Sequence, residues 1–181
     1  MRIISGKWAR RRLAKVRGDI RPTGVRLRTS LFDSYGDRIK GSHWLDGFAG
    51  SGAVGLEALS RGAASVVFNE RDEDALKILR RNLEICGLPT GHQVLDRDIF
   101  ALLRTFRPER RFDVIFLDPP YDFGRYEKLL TRVASSGWLA ADGRIVLEAF
   151  KRTEPQPPQG LTLLRRMRAS DDVLNIYGPT S

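Results

Sequence analysis

The sequence predicts an α/β domain in which helices cover both faces of a twisted, mostly parallel sheet. From residue 43 onward, short apolar runs that suit buried strands alternate with stretches whose apolar residues recur every three to four positions. A glycine-rich turn follows the first apolar run, and single carboxylates follow later ones, as at the ligand-binding edge of an open parallel sheet. We therefore expect a seven-stranded sheet that closes with an antiparallel strand.

The elements of this domain follow in a regular order. We expect strands at residues 44–45, 65–68, 93–95, 112–117, 145–147, 161–164 and 173–177, the last two as a closing antiparallel pair. We expect helices over residues 52–61 and 75–86, just after residue 99, and around residues 126–133. Gly87 is suited to end the second helix. A turn at Asp142-Gly143 should precede the fifth strand.

A shorter segment comes before the alternating elements. Residues 2–16 predict a hairpin with a turn at residues 5–7. Thr23 is expected to cap a helix whose buried face carries Leu27 and Leu31.

The positive charge of the chain is concentrated in this segment. Residues 1–40 hold 12 Lys and Arg against 3 acids, whereas residues 41–181 hold 19 of each, so the whole net charge of +9 lies in the first part. A compact basic segment beside a neutral domain is typical of nucleic-acid binding, although a solvated face or an acidic protein partner would also explain it. The candidates for contacts to nucleic acid are Arg10, Arg11, Arg12, Arg21, Thr23 and Arg26.

The remaining composition excludes several classes of protein. A single cysteine, Cys86, cannot form an intrachain disulfide or a cysteine-based zinc site, and it falls on the apolar face of a predicted helix. No apolar run approaches the roughly 20 residues that span a bilayer, and the start of the chain lacks the apolar core of a signal peptide. We therefore expect a cytoplasmic protein.

The turn after the first strand predicts a cofactor site. Residues 50–55 match the pattern G-x-G-x-x-G, and Glu70 follows the first glycine by 20 residues. Such a turn frees backbone N–H groups at the start of a helix for a ligand. The pattern alone does not distinguish NAD from another adenosine-containing cofactor, and a glycine-rich connection without a ligand is the third interpretation.

Four carboxylates follow successive predicted strands. They are Asp46, Glu70, Asp98 and Asp118. Because ligands of an open parallel sheet bind outside the carboxyl ends of its strands, we expect these side chains to converge on one crevice.

The last of these acids begins a second motif, Asp118-Pro119-Pro120-Tyr121. Two consecutive prolines fix two φ angles and remove two N–H donors, so the carbonyl of Pro119 becomes a rigid acceptor beside the Asp118 carboxylate. Two acceptors side by side suit an amino group that has two N–H bonds to donate. Tyr121 would offer a flat face on which a planar base can stack.

Together, the two motifs resemble class I S-adenosylmethionine-dependent methyltransferases that act on exocyclic amino groups of nucleobases, whose motif is [DNS]-P-P-[YFW]. The match to the RsmD family of 16S ribosomal RNA guanine-N2 methyltransferases is closer, and it covers most of the chain. It is carried by residues 2–8, 12–13, 21–23 with Arg26, Arg28, Leu31 and Phe32, and by residues 45–52, 55–63 and 112–121. Two positions depart from the family, Gly47 and Asn69, where apolar residues are more usual.

The resemblance implies a Rossmann-like methyltransferase domain over residues 41–181, preceded by a basic RNA-binding extension over residues 1–40. It implies that the turn from Asp46 to Gly52 holds the methionine part of the cofactor, that Glu70 takes the ribose hydroxyls, and that Asp98 and Ile99 read the adenine. The implied cofactor-binding residues are Asp46, Phe48, Gly50, Ser51, Gly52, Glu70, Arg71, Asp98 and Ile99. The target base would be held by Asp118, Pro119, Pro120 and Tyr121.

The function that follows is methyl transfer from S-adenosylmethionine to the N2 amino group of a guanine in ribosomal RNA or a small-subunit particle. Adenine-N6 methylation remains open, because the Asp-Pro-Pro-Tyr motif is equally at home there. An NAD-dependent oxidoreductase and a non-catalytic RNA-binding assembly factor are the alternatives of other classes. The chemistry requires no metal, and we expect a monomer.

Overall fold

The computed structural model describes residues 1–16, 23–88, 90–120 and 122–180. The strands are β1 (His43–Asp46), β2 (Ser65–Asn69), β3 (His92–Leu95), β4 (Phe112–Leu117), β5 (Leu139–Phe150), β6 (Leu161–Ala169) and β7 (Asp172–Pro179). The helices are α1 (Thr23–Tyr35), a short 3-10 helix (Gly36–Ile39), α2 (Ala53–Ser60), α3 (Glu73–Cys86), α4 (Ile99–Thr105) and α5 (Tyr126–Ala134). In these ranges no helix is both long and apolar enough to cross a membrane.

The strands form one sheet in the order β3-β2-β1-β4-β5-β7-β6. Strands β1 to β5 pair in parallel, and β7 runs antiparallel between β5 and β6. The prediction of a mostly parallel sheet with an antiparallel closing strand is confirmed. The strand order reverses between β1 and β4, and this is the point at which ligands bind outside the carboxyl ends of an open sheet.

Helices cover both faces of the sheet, as predicted. Successive side chains of a strand point to opposite faces, so Trp44 packs into one core and Leu45 into the other. The first core also contains buried residues of α1, α2 and α3, and the second contains buried residues of α4 and α5. The face that carries Trp44 is therefore the α1 face of the sheet.

Local signals in the sequence fix the ends of two helices. The Asp72 carboxylate caps α3 by accepting a hydrogen bond of 2.8 Å from the N–H of Ala75. Gly87 ends the same helix in the left-handed conformation with φ of 62°, as predicted. Asp98 caps α4 by accepting bonds from the N–H groups of Phe100 and Ala101.

Two local predictions need correction. Residues 2–16 double back as predicted, and backbone bonds join the two arms: Ile3 donates to Arg11 at 3.1 Å, and Leu13 donates to Met1 at 3.0 Å. Only one antiparallel bridge, Arg2 with Arg12, forms in the described residues, because the connection between the arms is wider than a turn at residues 5–7 and its backbone bonds to α2. The second error concerns Asp142-Gly143, which lies inside β5, where the pairing with β4 shifts register. The Arg144 guanidinium donates to the carbonyls of both residues and holds this irregular stretch.

The first 16 residues are anchored on the main domain by a buried carboxylate. Glu57 of α2 is completely buried and accepts bonds of 2.7 Å from the N–H of Ile4 and 3.0 Å from the N–H of Ser5. It also accepts a bond of 2.7 Å from the Arg61 guanidinium. Ile3, Trp8 and Leu13 are buried in the same core as α1, α2 and α3. Residues 1–16 therefore have a fixed position against the sheet.

We predict that Glu57→Ala lowers the free energy of unfolding by about 3 kcal/mol, because it leaves two backbone N–H groups without their acceptor and removes one of the two carboxylate partners of the partly buried Arg61 guanidinium. Urea denaturation measures this loss, and amide exchange at Ile4 and Ser5 reports release of the segment. Glu84→Ala, at an exposed position of α3, is the control and should change stability by less than about 0.5 kcal/mol. Equal effects of the two substitutions would contradict the anchoring role.

Candidate active site

The glycine turn between β1 and α2 has the close contacts that its pattern predicts. Gly50 and Gly52 have φ angles of 53° and 80°, in the left-handed region that favours glycine. A Cβ on Gly52 would lie 2.4 Å from the Leu79 side chain, and one on Gly55 would lie 2.2 Å from the Phe68 ring. The glycines thus allow α2 to pack directly against its neighbours, and Gly52 shapes the turn without lining a cavity.

Asp46 lies beneath this turn and is only 2% exposed. Its carboxylate accepts a bond of 3.0 Å from the N–H of Gly55. Burial raises the pKa of Asp46 to about 7, and the negative charges of Asp118 and Glu70 also raise it, whereas the bond from Gly55 lowers it. Three acids that act on one another at this edge favour a cationic group on the ligand, since a positive charge would relieve their repulsion.

A cavity of about 1020 Å³ opens at the carboxyl edge of β1, β2 and β4. The predicted site residues that line it are Phe48, Gly50, Glu70, Arg71, Asp98, Ile99, Asp118, Pro119 and Pro120. The structure therefore brings residues expected to hold the cofactor and residues expected to hold the base into one space.

Glu70 connects the end of β2 to the glycine turn. One of its carboxylate oxygens accepts a bond of 2.8 Å from the N–H of Gly50. The other accepts bonds of 2.8 Å and 2.9 Å from the N–H groups of Arg71 and Asp72. These backbone donors fix the carboxylate at the wall of the cavity.

Asp98 has two roles in the structure. Its Oδ1 caps α4, and its Oδ2 lies 3.6 Å from the Arg71 guanidinium. Both side chains of this pair are substantially exposed, so the pair contributes little to stability. It places Asp98 and Arg71 together at the rim, next to Ile99, which is buried.

A second, smaller cavity of about 420 Å³ lies on the α1 face of the sheet. Asp46 and Ser51 line it, together with Arg28 and Glu148, which the sequence did not single out as site residues. The two cavities share Lys15, Phe48, Gly50 and Asp118. Asp118 is therefore in contact with both spaces.

An aromatic group that the sequence reasoning missed forms one wall of the larger cavity. The ring of Phe123 meets that of Phe48 edge to face at 5.6 Å and lies parallel to that of Phe100 at 6.0 Å. The Arg125 guanidinium covers Phe100 and Phe123 at 4.9 Å and 5.1 Å from the ring centroids. The signal in the sequence was an aromatic and a basic residue directly after the Asp-Pro-Pro motif.

Two buried asparagines, also missed as site residues, tie the loops around the cavities together. Asn69 donates to the carbonyls of Gly47 and Arg97 at 3.1 Å and 3.0 Å. Asn82 exchanges two bonds with the backbone of Ala14 and donates to the Ser51 carbonyl at 2.8 Å. A polar residue on the apolar face of a helix was the signal for Asn82. Its bonds fix residues 14–16 beside the glycine turn.

The predicted RNA contacts separate into two groups. Arg10, Arg11, Arg12 and Arg26 are exposed and line neither cavity. The Arg11 guanidinium donates to the Ile85 carbonyl at 2.5 Å. Predictions for Arg21, Tyr121 and the side chain of Thr23 fall outside the described residues; α1 begins at Thr23.

The family described as Conserved hypothetical protein 95 matches residues 1–178. The chain belongs to this family. Ribosomal RNA small subunit methyltransferase D of Haemophilus influenzae is 35% identical over 167 residues, which cover 91% of this chain and 86% of that protein. Putative rRNA methyltransferase YlbH of Bacillus subtilis is 38% identical over 169 residues and 92% of each chain. The solved structure of putative methyltransferase yhhF from Escherichia coli has a TM-score of 0.87 at 32% identity, covering 99% of this chain and 97% of that one.

Membership in the family confirms the resemblance to the RsmD methyltransferases and the class I methyltransferase fold. Relatives that span nearly the whole chain are named as methyltransferases. The oxidoreductase interpretation of the glycine pattern gains no support from them.

Because the pKa of the buried Asp46 is raised, we expect the free energy of unfolding to depend on pH. Because the pKa is higher in the folded protein than the value of about 3.9 in an unfolded chain, the folded state holds this proton more tightly. The stabilisation that comes from protonated Asp46 in the folded state is complete below about pH 4 and is lost as the pH rises through about 7. Between pH 5 and pH 8 the wild type should lose about 2 kcal/mol more than Asp46→Asn, as measured by urea denaturation. Identical pH slopes would contradict the raised pKa.

Proposed function

We propose that the chain transfers a methyl group from S-adenosylmethionine to the exocyclic N2 amino group of a guanine in 16S ribosomal RNA. The observation that carries the proposal is the position of Asp118, which lines both the larger cavity and the smaller one. The larger cavity is available for the methyl donor, and the smaller cavity, which shares Asp118 with it, is available for the base. The names of the relatives support ribosomal RNA as the substrate.

The methyl donor is S-adenosylmethionine, as the sequence predicted. When bound, it supplies an electrophilic methyl group on a sulfonium centre. The larger cavity fits this molecule, because Gly50 of the glycine turn, the Glu70 carboxylate, Asp98 and Ile99 all line it. The neighbouring acids Asp46 and Asp118 favour a ligand that carries positive charge in this region.

The amino group of a guanine is a weak nucleophile, since its lone pair is delocalised into the ring. The Asp118 carboxylate and the Pro119 carbonyl are acceptors for its two N–H bonds. Accepting these bonds localises electron density on nitrogen and becomes more stabilising as positive charge develops in the transition state. With the donor bound, its sulfonium would supply the methyl carbon and keep the electron pair of the carbon–sulfur bond, while Asp118 and Pro119 would hold the attacking nitrogen. The excess proton would leave to solvent.

We propose that the basic segment holds the RNA from which the base is presented. Glu57 anchors Ile4 and Ser5, and Asn82 anchors Ala14, so residues 1–16 run in a fixed path along the domain. Arg10, Arg11 and Arg12 are exposed on this path. Lys15, three residues later, reaches both cavities. The segment therefore links a cationic surface to the place where the base would enter.

Adenine-N6 methylation uses the same two acceptors and differs in the base. Identification of the methylated nucleoside by mass spectrometry separates these two reactions. A non-catalytic assembly factor would explain the basic segment but not the two cavities that meet at Asp118. The two-domain division, the monomeric state, the absence of a metal requirement and the cytoplasmic location stay predictions.

We predict that Asp118→Ala lowers kcat for methyl transfer by at least about 100-fold, because it removes an acceptor that acts in the transition state. Calorimetry should show that affinity for S-adenosylhomocysteine changes by less than about threefold, or about 0.7 kcal/mol. Asp122→Ala, an exposed acid four residues later, is the matched control and should keep full activity. Full activity in Asp118→Ala would refute the role assigned to this carboxylate.

A triple substitution tests the basic segment. Changing Arg10, Arg11 and Arg12 to Ala should weaken RNA binding and reduce the slope of log affinity against log salt by about 2, because three phosphate contacts are lost. The control removes the same charge from the segment just before β4 by changing Arg107, Arg110 and Arg111, which are also exposed. Filter binding at several salt concentrations measures both slopes. Equal slopes for the two triple variants would assign the first cluster to something other than RNA.

A further inference from the structure

A third carboxylate lines the smaller cavity together with Asp46 and Asp118. Glu148 is in β5, is only 7% exposed and lines the smaller cavity. The parallel pairing of β4 with β5 places Leu117 opposite Leu147. Asp118 and Glu148, each one residue further on, are therefore level with one another at the carboxyl edge. Nothing in the proposed mechanism uses Glu148.

The strand geometry also gives the two acids the same face of the sheet. Phe116 and Val146 pack into the core of the α1 face, and side chains two positions later return to that face. Leu174, the partner of Glu148 on β7, packs into the same core. Neighbouring strands are about 4.8 Å apart, so both carboxylates can reach one edge of a flat ligand.

Two cationic side chains also line the smaller cavity. Arg28 of α1 and Lys15 line it together with Glu148 and Asp118. Arg28 is 7% exposed, and its guanidinium is held by the carbonyl of Arg2 at 3.0 Å. An ionised carboxylate only accepts hydrogen bonds, so Glu148 and Asp118 in that form offer the ligand acceptors and no donor.

We propose that Glu148 selects guanine by accepting the N1–H bond of the target base while Asp118 accepts from its amino group. This inference rests on the proposed function. Guanine carries N1–H and the N2 amino group side by side on its Watson–Crick edge, and both donate. Adenine carries its amino group beside an unprotonated N1, which would face the Glu148 carboxylate as a second acceptor. Asp118 and Glu148 thus bind the two donors of guanine, whereas the acceptor N1 of adenine is repelled by the Glu148 carboxylate.

The test replaces the target guanine by 2-aminopurine in RNA reassembled into small-subunit particles. This base keeps the amino group at position 2 but has an unprotonated N1. For the wild type, kcat/KM should be at least about 100-fold higher with guanine than with 2-aminopurine. The analogue leaves the buried Glu148 carboxylate facing the lone pair of its N1 atom. A ratio near one for the wild type would overturn the inference while leaving guanine-N2 methylation intact.

The matched variant is Glu148→Gln, whose amide keeps the shape and can turn its NH2 group towards an unprotonated N1. We expect the guanine to 2-aminopurine ratio to fall by at least about 10-fold in this variant. Because both substrates are measured on the same variant, a general loss of active protein cancels. Loss of the O6 atom in the analogue affects the wild type and the variant alike, so it cancels as well.

Glu109→Gln, at an exposed position before β4, is the control and should keep the ratio of the wild type. A Glu148→Gln variant with the wild-type ratio would contradict selection by Glu148. A wild type that methylates neither RNA would instead refute the proposed function itself, so the two failures are distinguishable.

Discussion

The pairing of β1 with β4 is the constraint on which the site depends. Asp46 at the end of β1 is opposite Phe116 of β4, so the glycine turn and the Asp-Pro-Pro motif begin at neighbouring points of one edge. These motifs are about 70 residues apart in the sequence, and only the strand order brings them together. Because the order reverses here, the chain leaves β1 and β4 in different directions and opens the space between them.

The basic segment is part of the same arrangement. Its arginines are exposed, but its backbone is bonded to Glu57 and Ser60 of α2 and to Asn82 of α3. Asn82 also bonds to Ser51 in the glycine turn. RNA held by the segment and cofactor held by the turn would therefore contact two parts of one hydrogen-bonded unit, which is a physical route by which each could affect the other.

Much of the fold was predictable, because buried parallel strands and amphipathic helices leave strong periodic patterns. The bounds of β4 and the closing Gly87 followed from such patterns. The wide connection between the N-terminal arms did not, since the N–H groups of Ser5 and Trp8 bond to the side chains of Glu57 and Ser60, some 50 positions away. The turn at Asp142-Gly143 failed for a related reason: a strand can pass through turn-forming residues when its neighbour shifts register.

The site was predictable where a motif carried it and not where tertiary packing assembled it. Residue type and spacing predicted the glycine turn, Glu70 and Asp118 as site residues. Gly50 of the turn, Glu70 and Asp118 line the larger cavity. Glu148 and Arg28 are single charged residues within otherwise ordinary elements, and only the adjacency of β4, β5 and α1 places them at the cavity. Asn69 at the end of β2 joins two loops by donating to the carbonyls of Gly47 and Arg97.

The most direct test of methyl transfer at Asp118 is incubation of the protein with labelled S-adenosylmethionine and unmodified small-subunit particles, followed by mapping of the modified nucleotide. We expect N2-methylguanosine at a single position of the 16S RNA. Label found in N6-methyladenosine, or no label in the RNA at all, would contradict it.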